Sequence, residues 1–301
     1  MKPSPVKVSV AIITYNRPEA LEKCLRSLKT QSRKPHEIIV IDSSDNTESK
    51  KTVGKNKLST KYRKFSTRLR QCKARNEALK ICSSDIIAYI DDDCMASHNW
   101  LENIAKGYTD ENIVAVGGPC INVDEKMQPS EMIINGNSNR NFVSFTGDIV
   151  CEARRWIPKQ TVETQMLAGG NMSFRVAFLK GIGGFDEFYD KHAAFREETD
   201  PQIAILRKGL KIMYVPGALT YHLNLRSGGI FSDKMEDYYY WCGVNHRYLI
   251  DKYKFSKFWS RLSWLTFSRS PPSIPIAIAV RILHGRKGIM QWYKGLFRSE
   301  F

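Results

Sequence analysis

The sequence predicts an α/β fold in which a mostly parallel sheet is flanked by helices, and three observations carry that prediction. Apolar runs of strand length alternate with segments of helical periodicity over the first 120 or so residues. Two of these runs stop on acids, Ile41 passing into Asp42 and Ile90 into Asp91-Asp92-Asp93, as strands do where an open sheet binds a ligand at its carboxyl edge. The bulk numbers agree: 301 residues, 42% hydrophobic and 26% charged, can bury a sizeable core and exclude global disorder.

In chain order, Val8 to Ile13 reads as a buried strand. Pro18 opens a helix whose Leu21, Leu25 and Leu28 recur at helical spacing. Glu37 to Ile41 is the second strand. Arg75 to Ile81 is helical and leads into Asp85 to Ile90, the strand that carries the acidic triplet. Trp100 to Tyr108 is a helix and Ile113 to Val116 a strand. From Asn122 to Thr164 the periodicity fades and polar residues dominate, so an irregular insertion or long loop is expected there, of the kind that often serves a site. Arg175 to Lys180 and Pro201 to Lys208 read as short helices, and Lys211 to Val215 as a strand feeding the segment that ends at His222.

Beyond residue 225 the chain becomes a basic, aromatic tail with the pattern of an amphipathic helical extension. Phe255, Phe258, Trp259, Leu262 and Leu265 share one stripe, with Lys254, Lys257 and Arg261 mostly on the remainder. A second piece sets Ile289, Trp292, Tyr293 and Leu296 against Lys287, Lys294 and Arg298. Such helices lie in a membrane interface or pack on the core or a second subunit; amphipathicity alone does not name the partner. No stretch reaches the roughly 18 apolar residues of a spanning helix, and the first residues lack the apolar segment of a secretory signal.

The formal charge of +15 implies an anionic partner: nucleic acid, an anionic membrane surface or phosphorylated small molecules. Lys50 to Arg75 holds many basic residues and no acid, and Lys252 to Arg298 is again basic. Seven cysteines, an odd number with no CxxC pair, argue against a disulfide framework or a zinc ribbon and fit a reducing cytoplasm.

The chemistry concentrates in two acidic clusters. Three adjacent carboxylates at the end of a buried strand are costly unless a cation or basic residues answer them, and as hard oxygen donors they suit a divalent cation holding a diphosphate. Glu197-Glu198 is the second cluster and a source for a general base. Asp200 precedes Pro201 and therefore sits where an N-cap acid would. Gly169-Gly170-Asn171 either lets the backbone approach a donor sugar closely or makes a tight turn into the Arg175 helix.

The ordered set Val10-Ala11-Ile12-Ile13-Thr14-Tyr15-Asn16-Arg17-Pro18, Ile39-Val40-Ile41-Asp42, Ala74-Arg75-Asn76, Asp91-Asp92-Asp93, Gly169 to Arg175, Gly183 to Glu187, Glu197 to Asp200 and Tyr214 through His222 resembles glycosyltransferase family 2. The match covers about residues 6 to 225. The resemblance implies a GT-A (Rossmann-like) catalytic domain over 1–225, with a nucleotide-binding half to about 120 and an acceptor-binding half from 121. Residues 226–301 are then a tail at the cytoplasmic face of a membrane. It implies transfer of sugar, with inversion, from a UDP-, GDP- or dTDP-sugar to a glycan or lipid-linked hydroxyl, with Mn2+ or Mg2+ as cofactor and no nucleic acid.

By position, the resemblance places Thr14, Tyr15, Asn16 and Arg17 against the nucleotide, Asp42 on the base or ribose, and Arg75 near base and diphosphate. Asp93 becomes the metal-ligating acid, with Asp91 or Asp92 nearer the ribose and Asp91 a further candidate ligand. His222 either completes the metal shell or is a hydrogen-bonded structural residue. Gly169, Gly170, Asn171 and Asp200 fall on the donor and acceptor side. The family places Glu-Asp where this chain has Glu197-Glu198, so Glu198 takes the base position with one extra methylene and Glu197 is the other candidate. Two other classes compete. A sugar nucleotidylyltransferase would carry a glycine-rich loop where Thr14 to Pro18 has no glycine, and a nucleic-acid binder would leave both acidic clusters unexplained.

Overall fold

The computed structural model describes residues 6–191, 195–223, 225, 235–258 and 294. Its centre is an eight-stranded sheet. β1 (Val8–Thr14) and β2 (Glu37–Asp42) pair in parallel, β2 pairs with β3 (Thr60–Lys64), and β1 pairs on its other side with β4 (Ile86–Asp91). The register sets Thr14 opposite Asp42 and Ile13 opposite Asp91, so the carboxyl ends of three strands form one edge. β1, β2 and β4 are almost entirely buried, which is why they read as unbroken apolar runs.

The helices cover the sheet as periodicity demands. α1 (Pro18–Lys29) buries Leu21, Leu25 and Leu28 completely, each worth about 2 kcal/mol of apolar burial. α2 (Glu48–Asn56) and β3 were not anticipated. Both lie in the lysine-rich stretch, and β3 (TKYRK) is an edge strand with no fully buried side chain, so it carries no apolar signal. α3 (Gln71–Ile81) starts four residues before the expected Arg75. β5 (Cys94–Ala96) follows the acidic triplet, and α4 (Trp100–Lys106), β6 (Ile113–Gly117) and β7 (Cys120–Asn122) complete the first half.

The segment from 122 to 164 is not one irregular loop. β8 (Ile134–Asn135), β9 (Asn141–Val143), β10 (Ile149–Cys151) and β11 (Trp156–Ile157) make two small paired ladders, and β12 (Val162–Thr164) joins the edge of the main sheet. Trp156 holds this insertion to the core: it is fully buried and stacks on Tyr214 with ring centroids 4.8 Å apart. β13 (Asn171–Arg175) is a second departure. Where a turn into a helix was one expectation, a buried strand runs antiparallel between β4 and β6 before α5 (Val176–Gly181) begins.

α6 (Thr199–Arg207) begins one residue before Asp200, with Glu198 at its N-cap position. Asp200 therefore caps nothing. Its carboxylate accepts from Lys252 Nζ at 2.9 Å and Tyr189 Oη at 3.2 Å. β14 (Lys211–Tyr214) pairs with β6 and β12, giving the order β12-β14-β6-β13-β4-β1-β2-β3. β15 (Thr220–His222) leaves the main sheet and lies between β5 and β7 in a three-stranded sheet.

α7 (Met235–Lys252), part of the expected tail, packs on the first 225 residues: Lys252 bridges Asp186 and Asp200, and Tyr248 Oη donates to Asp186 at 2.8 Å. Phe255 packs against the core and Phe258 is exposed. The stripe from Trp259 onward and the second amphipathic piece, Lys294 apart, lie outside the described residues. Among the described residues no helix is long and apolar enough to cross a membrane. All seven cysteines are free.

Candidate active site

The carboxyl edge of the sheet opens into a cleft lined by residues from almost every segment singled out in the sequence: Tyr15, Arg17, Arg75, Asp91, Asp92, Asp93, Gly169, Gly170, Glu197, Glu198 and His222. At one end, the loop after β1 is held by side chains. Asn16 takes a positive φ of 56°, tolerated by Asn because its amide bonds locally: Nδ2 donates to Asp45 Oδ2 at 2.7 Å and Oδ1 accepts from the Asp45 amide at 3.0 Å. Tyr15 Oη donates to the same carboxylate at 3.0 Å, and Arg68 stacks over the Tyr15 ring at 4.4 Å.

The triplet divides its work. Thr14 Oγ1 donates to Asp92 at 2.8 Å, and Arg17 Nη1 lies 3.3 Å from Asp92 and 3.1 Å from Asp93. Burial pushes Asp92 up to about 7 despite that arginine, and burial with Asp91 beside it raises Asp93. Asp91 is half-buried, and its carboxylate has no hydrogen-bond or ion-pair partner among the described residues.

His222 faces this group. Its Nδ1 is 3.0 Å from Asn122 Oδ1, an atom that also receives Arg154 Nη1 at 3.4 Å and is thereby fixed as the oxygen. Nδ1 must then carry the proton. Burial, reinforced by Arg154, lowers the imidazole further into its neutral form. Nε2 lies 3.4 Å from Asp93 Oδ1. Two acceptors that close call for a proton on Asp93 or a cation between them. Donor atoms of Asp91, Asp93, Cys94 and His222 all fall within 4.8 Å of one another, a spacing that one divalent ion can bridge.

Across the cleft, Arg75 is almost wholly buried, with Nη1 3.5 Å from Glu197 Oε1. Burial and the neighbouring Glu198 drive Glu197 well above the usual carboxylate range. Glu198 is half-buried and lines the cleft. The two glycines make the floor: a Cβ at Gly169 would come 3.1 Å from Arg75 Nη2, and one at Gly170 would come 2.8 Å from Asp91 Oδ2. Side chains there would fill the space between cation site and arginine.

Five expected site residues do not line the cleft: Thr14 and Asn16, whose side chains bond Asp92 and Asp45, and three that stand further apart. Asp42 is fully buried, and its carboxylate is taken by Tyr62 Oη at 2.5 Å, the Ser44 amide at 2.7 Å and Lys64 at 3.5 Å. Asn171 is equally buried, its amide saturated by the carbonyls of Pro119 and Ala218 and by Trp100 Nε1. Asp200 belongs to the contact with α7. Conversely, Arg68, Arg70, Arg154, Cys94 and Asn122 were not anticipated. Arg68 and Arg70 lay in the acid-free basic stretch, which was the available signal; Cys94 and Asn122 come together through the β5-β15-β7 ladder, and Arg154 joins them from the insertion through Asn122.

The model of glycosyl transferase family 2 matches residues 9–182, more than half the chain. The chain belongs to glycosyltransferase family 2. The matched segment holds the Thr14 loop, Arg75, the acidic triplet and the glycine floor, while Glu197, Glu198 and His222 follow it. Among relatives of this family 2 chain, the glycosyltransferase AglE of Haloferax volcanii is 28% identical over 37% of the chain and 38% of its own length. The O-antigen chain rhamnosyltransferase RfbN of Salmonella typhimurium is 22% identical over 72% of the chain and 66% of its own. The matches thus span from about a third to two thirds of these relatives.

Solved structures show the same architecture. A mannosyltransferase of Pyrobaculum calidifontis, in complex with GDP-Man and Mn2+, superposes with a TM-score of 0.61 at 16% identity, covering 99% of this chain and 89% of that one. GalNAc-T7 with UDP, GalNAc and Mn2+ gives 0.64 at 15% identity, covering 95% and 59%. The fold is GT-A.

Proposed function

We propose that the protein is a metal-dependent, inverting glycosyltransferase that moves a sugar from a nucleotide-diphosphate donor to an acceptor hydroxyl. The observation that carries the reading is the donor group in which atoms of Asp91, Asp93 and His222 gather within 4.8 Å, across a cleft from Glu198. The Mn2+ in both structural neighbours supports a cation here.

When bound, Mn2+ or Mg2+ supplies the charge that stabilises the departing diphosphate. Asp93, Asp91 and His222 hold it, and Arg17, now paired with Asp92 and Asp93, is placed to turn to the phosphates. Arg75 donates to the diphosphate from a buried position where its hydrogen bonds are strengthened. The Tyr15 ring, backed by Arg68, takes the face of the base. Glu198 accepts the proton of the acceptor hydroxyl as that oxygen attacks the anomeric carbon from the side opposite the leaving group. Glu197 keeps its own proton and ties this loop to Arg75.

A glycan or lipid-linked acceptor in polysaccharide biosynthesis at the cytoplasmic membrane face suits the basic aromatic tail. Incubation with UDP-, GDP- and dTDP-sugars and Mn2+ tests the chemistry: nucleoside diphosphate must appear with at least one donor, and NMR must show an inverted anomeric centre in the product. Pyrophosphate release from a nucleoside triphosphate and a sugar phosphate would instead mark a nucleotidylyltransferase. Flotation with anionic liposomes, comparing the full chain with one ending at Phe258, tests the tail; equal binding removes it from membrane association.

A further inference from the structure

Cys94 follows the acidic triplet directly and stands opposite His222 in the antiparallel register of β5 with β15. Its side chain is fully buried, yet Sγ belongs to the same donor group as the carboxylates of Asp91 and Asp93 and the His222 ring, all within 4.8 Å. A Cβ at Gly170 would meet Cys94 Sγ at 3.1 Å and Asp91 Oδ2 at 2.8 Å, so sulfur and oxygen converge on one bare glycine. Donors so gathered need only draw in slightly to reach one ion with ligands about 2.0–2.3 Å away.

The state of His222 within this group points the same way. His222 is 7% exposed, and its Nε2 makes no hydrogen bond among the described residues, with the Asp93 oxygen 3.4 Å away. Nearby, the Cys120 sulfur accepts from Arg154 Nη1 at 3.5 Å, so it is held by a different partner from Cys94.

We propose that Cys94 is a fourth ligand that makes the cleft a site for a thiophilic divalent cation of the zinc class, in competition with the harder ion of the transfer reaction. This deepens the glycosyltransferase reading and rests on it for the use of the site. Mn2+ and Mg2+ favour oxygen, so with them the sulfur keeps its proton and stays unligated. Zinc takes the thiolate, the thiol proton leaves to solvent, and Asp91, Asp93, Cys94 and His222 close a four-coordinate shell. That shell leaves no position for a diphosphate oxygen, so zinc inhibits by displacing Mn2+. The lack of a CxxC pair excludes a zinc ribbon but not a mixed set assembled from β4, β5 and β15.

The test uses the full-length protein and metal alone. X-ray absorption at the zinc edge of the wild type must show one sulfur at about 2.3 Å. With Co2+, a thiolate-to-metal charge-transfer band must appear, persist in Cys120→Ser and vanish in Cys94→Ser. The preference for zinc over manganese must fall at least about tenfold in Cys94→Ser. A first shell of only nitrogen and oxygen in the wild type overturns the proposal without recourse to any variant. If the sulfur is present but Mn2+ fails to promote nucleoside diphosphate binding, the transferase reading fails and the zinc site stands.

Discussion

One hydrogen bond determines how His222 meets a cation. Asn122 Oδ1 holds the Nδ1 proton and leaves Nε2 bare, so Asn122→Ala frees the tautomer and should weaken Mn2+ binding by about 10- to 100-fold, read by calorimetry. Glu198→Gln should lower kcat by about 10²- to 10⁴-fold while donor affinity is kept, because only the proton acceptor is removed. An equal loss in donor binding would place Glu198 elsewhere in the reaction. At this scale the acidic triplet, Arg75, the glutamate pair and His222 were legible, because each sits in a short motif with its own order along the chain. Asn122, Cys94 and Arg154 were not. A three-stranded ladder brings Cys94 and Asn122 to His222, and Arg154 reaches it from the insertion by bonding Asn122; nothing local in their sequences records it.

Among the elements, β13 does most to shape the cleft. It enters the sheet antiparallel, and its lead-in glycines lie against Asp91 and Arg75. Gly170→Ala should displace the Asp91 carboxylate and cut metal-promoted nucleotide binding, while thermal stability changes little, since the clash is with a side-chain end. Asn171→Ala should do the reverse. It leaves the Ala218 carbonyl and the Trp100 N–H buried without that partner, while Pro119 keeps the Thr220 amide, costing about 3 kcal/mol in denaturant unfolding. The strand escaped the sequence reading because Asn-Met-Ser-Phe-Arg has only two apolar residues, and its buried polar groups find partners that only the folded sheet supplies. β1, β2 and β4 were legible for the opposite reason: burial on both faces leaves an unbroken apolar run.

For the whole molecule, stability and chemistry draw on different acids. Glu37 ties β2 to β3 through Lys61 and to the start of β4 through the Ser83 amide. Burial alone would raise its carboxyl, but Lys61, Ser83 and Ser9 outweigh it and hold it down to about 2 from 4.5. Its contribution is therefore complete above about pH 4.5 and lost as pH falls toward 2, so the stability gap between wild type and Glu37→Gln should close over that window. The cleft acids are instead proposed to hold a cation, and the central claim is tested there. The direct measurement is calorimetric titration of UDP, GDP and dTDP into wild type and Asp93→Asn, with Mn2+ and with chelator. One nucleoside diphosphate should bind the wild type only with Mn2+, and Asp93→Asn should lose that binding while still folding. Equal binding with and without Mn2+, or by Asp93→Asn, would contradict it.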